Sequence, residues 1–212
     1  MKDVIVIDQA VPAGVQDMLE GIALGDKINW FRQAATTYCS ESSPVIFPVT
    51  ADSMDVHGFV HLICDEKQPV SQLYPAILPV ITAIPYTIKQ LLRVKMNLGV
   101  YARTENPNAH GMPHVDYTNR TRKAEQLISA VYYVNDSTGD TLIFDQRFGE
   151  SVPLTVKTRV PPKKGRLVVF DGELLHAGNT PKTNVPRINI NFNAFVYEGA
   201  QTLQAGIGGG GA

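Results

Sequence analysis

Cysteine is nearly absent: Cys39 and Cys64 are the only two in 212 residues, and they form no C-x-x-C arrangement. Such a pair makes neither a disulfide framework nor a thiolate metal site, so two buried or half-buried free thiols are expected. Long apolar runs are missing as well. Residues 75–84, the longest, are broken by Pro79 and followed by Pro85, far short of the roughly 20 residues a membrane helix needs. No membrane span is expected. Nor is there an excess of either charge: 19 Lys and Arg stand against 20 Asp and Glu, for a net charge of -1. That removes the global cationic field of a sequence-independent nucleic-acid binder, so nucleic acid is not the expected partner. Residues 1–8 read as a short apolar strand, too short and wrongly flanked for a secretory signal, and a cytoplasmic location is expected. There is no G-x-S-x-G elbow, no P-loop and no dinucleotide fingerprint opening a helix after a strand. Hydrolase, NTPase and dehydrogenase readings therefore have no residues to stand on.

The remaining composition is that of an ordinary globular chain, 44% hydrophobic and 18% charged, and the length points to one domain over residues 1–202. Residues 203–212 form a Gly-rich tail expected to be flexible. The first third mixes a strand at 4–7, a helical run over 15–24 and an irregular stretch around Trp30 and Tyr38. Over 72–92, Leu73, Ala76, Ile77, Val80, Ile81, Ile84, Ile88 and Leu91 recur at helical spacing, which predicts one long helix kinked at Pro85 or two short ones. Residues 1–92 are thus expected to form a helical support. After Leu92 the texture changes to short strands between turn residues, the pattern of an antiparallel sandwich or barrel.

Two of these strands alternate strictly. Arg93, Lys95 and Asn97 interleave with Val94, Met96 and Leu98; much later Arg187, Asn189, Asn191 and Asn193 interleave with Ile188, Ile190 and Phe192. Two readings stay open: the polar faces are solvated, or they line a pocket while the apolar faces pack under the preceding helices. Residues 130–134 and 167–170 are apolar on both faces, as central strands are.

His114-Val115-Asp116 sets an imidazole and a carboxylate two residues apart, on one face of an extended chain. Alone this says little, because composition yields about 0.3 chance H-x-D matches. A third ligand is supplied by 165–178, where an apolar strand and the Asp171-Gly172 turn lead to His176, and Arg187 follows eleven residues later. Two His and one carboxylate with open positions is the ligand set of non-haem Fe(II) oxygenases, and a guanidinium is the natural partner of a dicarboxylate.

The order H-x-D, about sixty residues, His, about ten residues, Arg resembles the 2-oxoglutarate/Fe(II) oxygenase superfamily. The surroundings, Ala130-Val131-Tyr132-Tyr133-Val134-Asn135-Asp136 and Gly139-Asp140-Thr141-Leu142-Ile143-Phe144, look like its prolyl 4-hydroxylase-like branch. The resemblance covers roughly 93–196, and residues 93–98 are similar to small phage-encoded members. It implies a mainly β chain with flanking helices, folded as a double-stranded β-helix, the cupin-like jelly roll. It implies Fe(II) on His114, Asp116 and His176, with 2-oxoglutarate and O2 as cosubstrates and ascorbate as a further candidate. Arg187 matches the residue for the distal carboxylate of 2-oxoglutarate. Tyr133 stands where relatives place a hydroxyl donor to it, Asn191 where some have Thr or Ser, and Asn97 where many have Tyr. The core-aromatic reading of Tyr133 and the solvated reading of Asn191 stay open beside these. The activity implied is hydroxylation of an unactivated C–H bond, with a prolyl residue in a peptide or protein first among substrates, a small molecule second and a nucleobase third.

Two competing readings use the same three ligands: a non-catalytic jelly-roll metal-binding protein, and a cupin-type isomerase or dioxygenase without 2-oxoglutarate. Arg187 counts against the first and the single H-x-D with a distal His against the second. His57 and His61 have helical metal-pair spacing, but Gly58, Phe59 and Val60 argue for a strand and an ordinary structural role. His110, amid Asn106, Pro107, Asn108 and Gly111, reads as a mobile loop residue, and Arg120, Arg122 and Lys123 as a solvated loop or a contact for an acidic substrate. Oligomeric state is not written in the sequence.

Overall fold

Strand alternation and proline placement decide the architecture. The computed structural model describes residues 4–33, 50–54, 57–117, 125–150 and 153–201. Cys39, the basic run Arg120, Arg122 and Lys123, and the Gly-rich tail lie outside the described residues. In chain order the elements are β1 (Ile5–Ile7), α1 (Ala13–Leu24), β2 (Phe31–Gln33), β3 (Gly58–Asp65), β4 (Gln68–Pro69), a 3₁₀ turn (Tyr74–Ile77) running into α2 (Leu78–Ala83), β5 (Tyr86–Gly99), β6 (Gln126–Tyr133), β7 (Thr141–Arg147), β8 (Val156–Val160), β9 (Leu167–Asp171), β10 (Leu174–Gly178) and β11 (Arg187–Gln201). Among the described residues no helix is long and apolar enough to cross a membrane.

The strands form two antiparallel sheets. The larger runs β1-β9-β6-β11-β5-β3-β2, with β4 hairpinned onto β3; the smaller runs β10-β7-β8. A short extended run through His114 adds a bridge to β10. This is the jelly-roll arrangement expected from the sequence. One core lies between the large sheet and the helices: Val94, Met96, Ile188, Ile190 and Phe192 pack with Leu19 and Ala23 of α1 and with Ile77, Val80 and Ile84. A second core lies between the sheets, where Val131 and Tyr133 of β6 and Val168 and Phe170 of β9 meet Ile143, Val160 and Leu174 of the small sheet. The apolar faces of β5 and β11 therefore do pack under the helices, and their polar faces turn inward between the sheets.

The helical spacing over 72–92 is realised only to Ala83, and residues 86–92 belong to β5. Pro85 cannot continue the helix and biases the preceding Ile84 to extended backbone, ψ 123°. Beyond it, pairing of 86–99 along the full length of β11 outweighs a spacing that fits either element. The N-terminal support is likewise less helical than expected, since β3 joins β5 and β1 joins β9 in the large sheet.

Phe192 is fully buried at the centre of the large sheet, paired with Val94 on one side and Ala130 on the other. Phe192→Ala is expected to cost about 3–5 kcal/mol in chemical unfolding. A loss below about 1 kcal/mol would mean that the helix-facing core does not carry the fold.

Candidate metal centre

His114 and His176 are brought together by backbone pairing. Their amides and carbonyls exchange two hydrogen bonds of 2.9 Å each, which sets the imidazole centroids 4.7 Å apart. Two residues further on, the same face of the chain presents Asp116. His176 Nε2 lies 3.1 Å from Asp116 Oδ2, and His114 Nε2 lies 3.9 Å from Oδ1. One ligand atom from each of the three residues falls within 4.8 Å of the others. No other described group of His, Cys, Asp and Glu has that geometry.

The chemistry of this donor set fits a divalent cation. Each imidazole has its Nδ1 on a backbone carbonyl two residues back, Met112 O at 2.8 Å and Leu174 O at 3.1 Å. A carbonyl only accepts, so Nδ1 carries a proton and Nε2 is the nitrogen left to face a metal. Burial, reinforced by the neighbouring His176, pushes His114 down to about 4, so that ring is neutral. Two imidazole nitrogens and a carboxylate oxygen thus converge on one point, the donor set of a divalent-metal site. Burial alone would raise the Asp116 carboxyl, but His176, within hydrogen-bond reach of it, and the Lys95 ammonium hold it well below its usual value.

The Asp116 carboxylate, whose side chain is 3% exposed, is fixed from behind. Oδ2 accepts from Asn191 Nδ2 at 2.9 Å, from Asn193 Nδ2 at 3.3 Å and from Ser129 Oγ at 3.3 Å. Asn193 Nδ2 also donates to Ser129 Oγ at 3.2 Å. Arg93 Nη2 donates to the Asp116 carbonyl at 2.7 Å and stands 3.7 Å from Oδ1. The β5–β11 register explains the convergence: Arg93 pairs with Asn193, Lys95 with Asn191, Asn97 with Asn189 and Gly99 with Arg187, all on the inward face.

Arg187 stands one strand repeat away from the triad. On β10 and β7, His176 pairs with Ile143 and Gly178 with Thr141, so the two rungs are about 7 Å apart. The guanidinium lies over Gly178, where an added Cβ would meet Arg187 Nη1 at 3.6 Å. Its Nε donates to Gly139 O at 2.7 Å and its Nη2 to Thr141 Oγ1 at 2.7 Å. Gly139 has φ +94°, and a Cβ there would sit 2.5 Å from Asn179 O, so only glycine fits this turn. Tyr133 is fully buried, its hydroxyl 2.6 Å from Thr141 Oγ1 and 3.3 Å from Val160 O, and burial raises its pKa.

One cavity is lined by the triad, Arg187, Thr141, Lys95, Asn97, Asn189 and Asn191, with Phe59 and Val60 of β3 on its far wall. Of the residues named from the sequence, His114, Asp116, His176, Arg187, Asn97 and Asn191 all line it; Tyr133 stands behind it, bonded to Thr141 and with the Arg187 guanidinium carbon 5.5 Å from its ring centroid. Asn97 donates to Asn189 Oδ1 at 3.1 Å. Asn191 spends its amide on Asp116, which differs from the cosubstrate role that the resemblance implies. His110 is not the mobile loop residue expected: it is 5% exposed, with Nδ1 on Gly111 O at 2.7 Å, Nε2 on Thr50 at 3.3 Å and its ring against Phe144. His61 bridges Asn29 O and Ser71 on β3, in the structural role expected of it. The sequence reading did not single out Ser129, Thr141, Arg93, Lys95 or Asn193 as site residues. Their signals were a lone hydroxyl in an apolar strand and the inward alternation itself.

Residues 97–195 match the model of the 2OG-Fe(II) oxygenase superfamily, a span that holds His114, Asp116, His176 and Arg187. The match covers just under half of the chain. No curated protein sequence matches it. Solved structures share the fold at low identity. An oxidoreductase of the 2OG-Fe(II) oxygenase family from Burkholderia pseudomallei is 14% identical over 94% of this chain and 88% of that one, with a TM-score of 0.58. The alpha-ketoglutarate-dependent epimerase SnoN of nogalamycin biosynthesis is 13% identical over 91% and 78%, with a TM-score of 0.56. A Trichoplax adhaerens prolyl hydroxylase, solved with a hypoxia inducible factor peptide, is 11% identical over 95% and 87%, with a TM-score of 0.54.

The role of Asn191 is open to a direct test. If it positions the ligand carboxylate, Asn191→Ala weakens divalent-metal binding by about 10- to 100-fold while leaving 2-oxoglutarate affinity at saturating metal nearly unchanged. Calorimetric titration of Mn(II) and then of 2-oxoglutarate reads both. The opposite split would return Asn191 to the cosubstrate role.

Proposed function

We propose that the chain is an Fe(II)- and 2-oxoglutarate-dependent hydroxylase acting on an unactivated C–H bond. The observation that carries the reading is the pairing of two sites in one cavity: a three-ligand donor set, and a guanidinium over Gly178, one strand repeat of about 7 Å along β10 from His176. That separation suits a five-carbon dicarboxylate reaching from one to the other. A binding protein with a structural metal has no use for the second site.

His114, Asp116 and His176 would hold Fe(II), which supplies the activation of O2 when bound. The residues of the chain do the rest by position. Arg187 keeps Nη1 over Gly178 while Gly139 and Thr141 fix its other nitrogens, so the guanidinium is oriented before a carboxylate arrives. Thr141 Oγ1 accepts from Arg187 and lies beside Tyr133, so its hydroxyl is placed to serve the same carboxylate. Asn191, Asn193 and Ser129 fix Asp116 and keep its second oxygen from drifting. Val131, Ala177 and Leu98 line the cavity and limit water there.

A prolyl residue remains the first substrate class, on the sequence resemblance to prolyl 4-hydroxylases. Small molecules stand second, as solved structures of similar fold include an epimerase of nogalamycin biosynthesis.

The protein is expected to bind Fe(II) and to release succinate slowly from 2-oxoglutarate without its true substrate. His114→Ala and Asp116→Ala should each abolish this. Arg187→Ala should leave metal binding intact and weaken 2-oxoglutarate by roughly 30-fold or more, the loss of a charge-assisted pair worth about 2–5 kcal/mol. Succinate release that persists under a strong iron chelator, or in both ligand variants, would rule out the assignment.

A further inference from the structure

Lys95 makes no hydrogen bond in the machinery described so far and acts on Asp116 only through its charge, yet it lines the same cavity as His114, Asp116 and Asn191. Its place follows from register. It is directly opposite Asn191, whose amide holds Asp116, and one rung from Arg93, which holds the Asp116 carbonyl. The inward face of β5 thus carries the ammonium to the metal end of the pocket, while Arg187 sits at the other end, opposite Gly99. Four residues of strand, about 13 Å, separate the two rungs.

Among the described residues no hydrogen bond or ion pair engages the Lys95 ammonium. The one carboxylate lining the cavity, Asp116, is already engaged by His176, Asn191, Asn193 and Ser129. A half-buried ammonium whose one nearby carboxylate is bonded to other groups is costly, and the cost is recovered when a second anion reaches it. Charge counting gives the anion's origin. A divalent metal, Lys95 and Arg187 against Asp116 leave three positive charges in the cavity. A cosubstrate dianion removes two, and one remains at the end where Lys95 stands. Arg187 cannot use it, being fixed at Gly139 and Thr141.

We propose that Lys95 anchors a carboxylate beside the metal triad, so that the site takes a substrate bearing an acid group close to the C–H bond it presents. This rests on the oxygenase reading, and it narrows the substrate class. Among prolyl compounds it favours free proline or a C-terminal prolyl residue over an internal one, and among small molecules it favours acids over their neutral analogues.

The test reads binding by calorimetry on protein loaded with Mn(II), so it does not depend on turnover. In one arm 2-oxoglutarate is titrated into wild type, Lys95→Gln and Lys95→Arg. In the other, protein saturated with 2-oxoglutarate is titrated with L-proline and a panel of three- to six-carbon monocarboxylic acids, each beside its amide. We expect 2-oxoglutarate to bind wild type and Lys95→Gln alike. We expect at least one acid to bind wild type about tenfold or more tightly than its amide, with that preference lost in Lys95→Gln and kept in Lys95→Arg. A loss confined to 2-oxoglutarate would keep Lys95 as a carboxylate anchor but assign the carboxylate to the cosubstrate. No acid-over-amide preference in wild type, together with unchanged 2-oxoglutarate affinity in Lys95→Gln, would overturn the proposal. Failure of wild type to bind 2-oxoglutarate at all would instead refute the oxygenase reading on which it rests.

Discussion

A carboxylate held between two sheets, with its side chain almost wholly out of water, is the constraint on which the rest of this structure depends. Isolated, such a charge is expensive enough that the group would take up a proton instead. Asp116 stays ionised because the fold surrounds it on every side: His176 in front, two amides and a hydroxyl behind, Arg93 at its backbone and Lys95 across the cavity. Those partners come from β5, β6, β10 and β11, so both sheets must be assembled before the charge is tolerable. The site and the fold are therefore one problem for this chain.

The need explains the odd composition of β11. Four polar residues alternate with buried aliphatic and aromatic ones, and asparagine recurs three times where β-branched residues would pair better. Asparagine is a poor strand former but offers a donor without charge. Asn191 and Asn193 give that donor to Asp116, while their carbonyl oxygens stay buried without a partner, a local cost accepted at the site. Placing Lys or Arg at both positions would satisfy Asp116 more strongly, yet would crowd a metal cation with like charge. Neutral donors at the nearest positions and cations one step further out resolve the conflict.

What could be read from the sequence followed the range of the signal. His114, Asp116, His176 and Arg187 were legible because each lies in a short pattern: two ligands at strand period, a third just past an Asp-Gly turn, a cation heading an alternating strand. The inward polar faces of β5 and β11 were legible as an alternation, though a solvated face was the commoner reading for either strand alone until the helices were seen to cover the opposite faces. Ser129 and Thr141 were not, because what matters is that Ser129 meets Asn193 and that Thr141 meets Arg187, contacts across 64 and 46 residues. His110 was misread as mobile for the same reason: its partners, Thr50 and Phe144, are far off in sequence and close in space. Residues 86–92 were misread as helix because Ile84, Ile88 and Leu91 fit a helical face, and only the distant β11 decides otherwise.

The order of charge along the cavity also bears on selectivity. From the Arg187 rung to the Arg93 rung the inward face of β5 and β11 runs cation, two amides, lysine facing amide, then arginine facing amide. A dicarboxylate entering this gradient has two cationic ends to choose between. The choice is made by geometry, not by net charge. At the Arg187 end the donor is a planar fork with Nε and Nη2 already fixed by Gly139 and Thr141, so little rotamer entropy is lost on binding. At the other end Lys95 presents a single compact charge on a flexible stem, which accepts a carboxylate from several directions but orients it weakly. A cosubstrate that must be held in one pose belongs at the fork. A group that need only be present and anionic belongs at the lysine, and the two sites can then be filled together without competing.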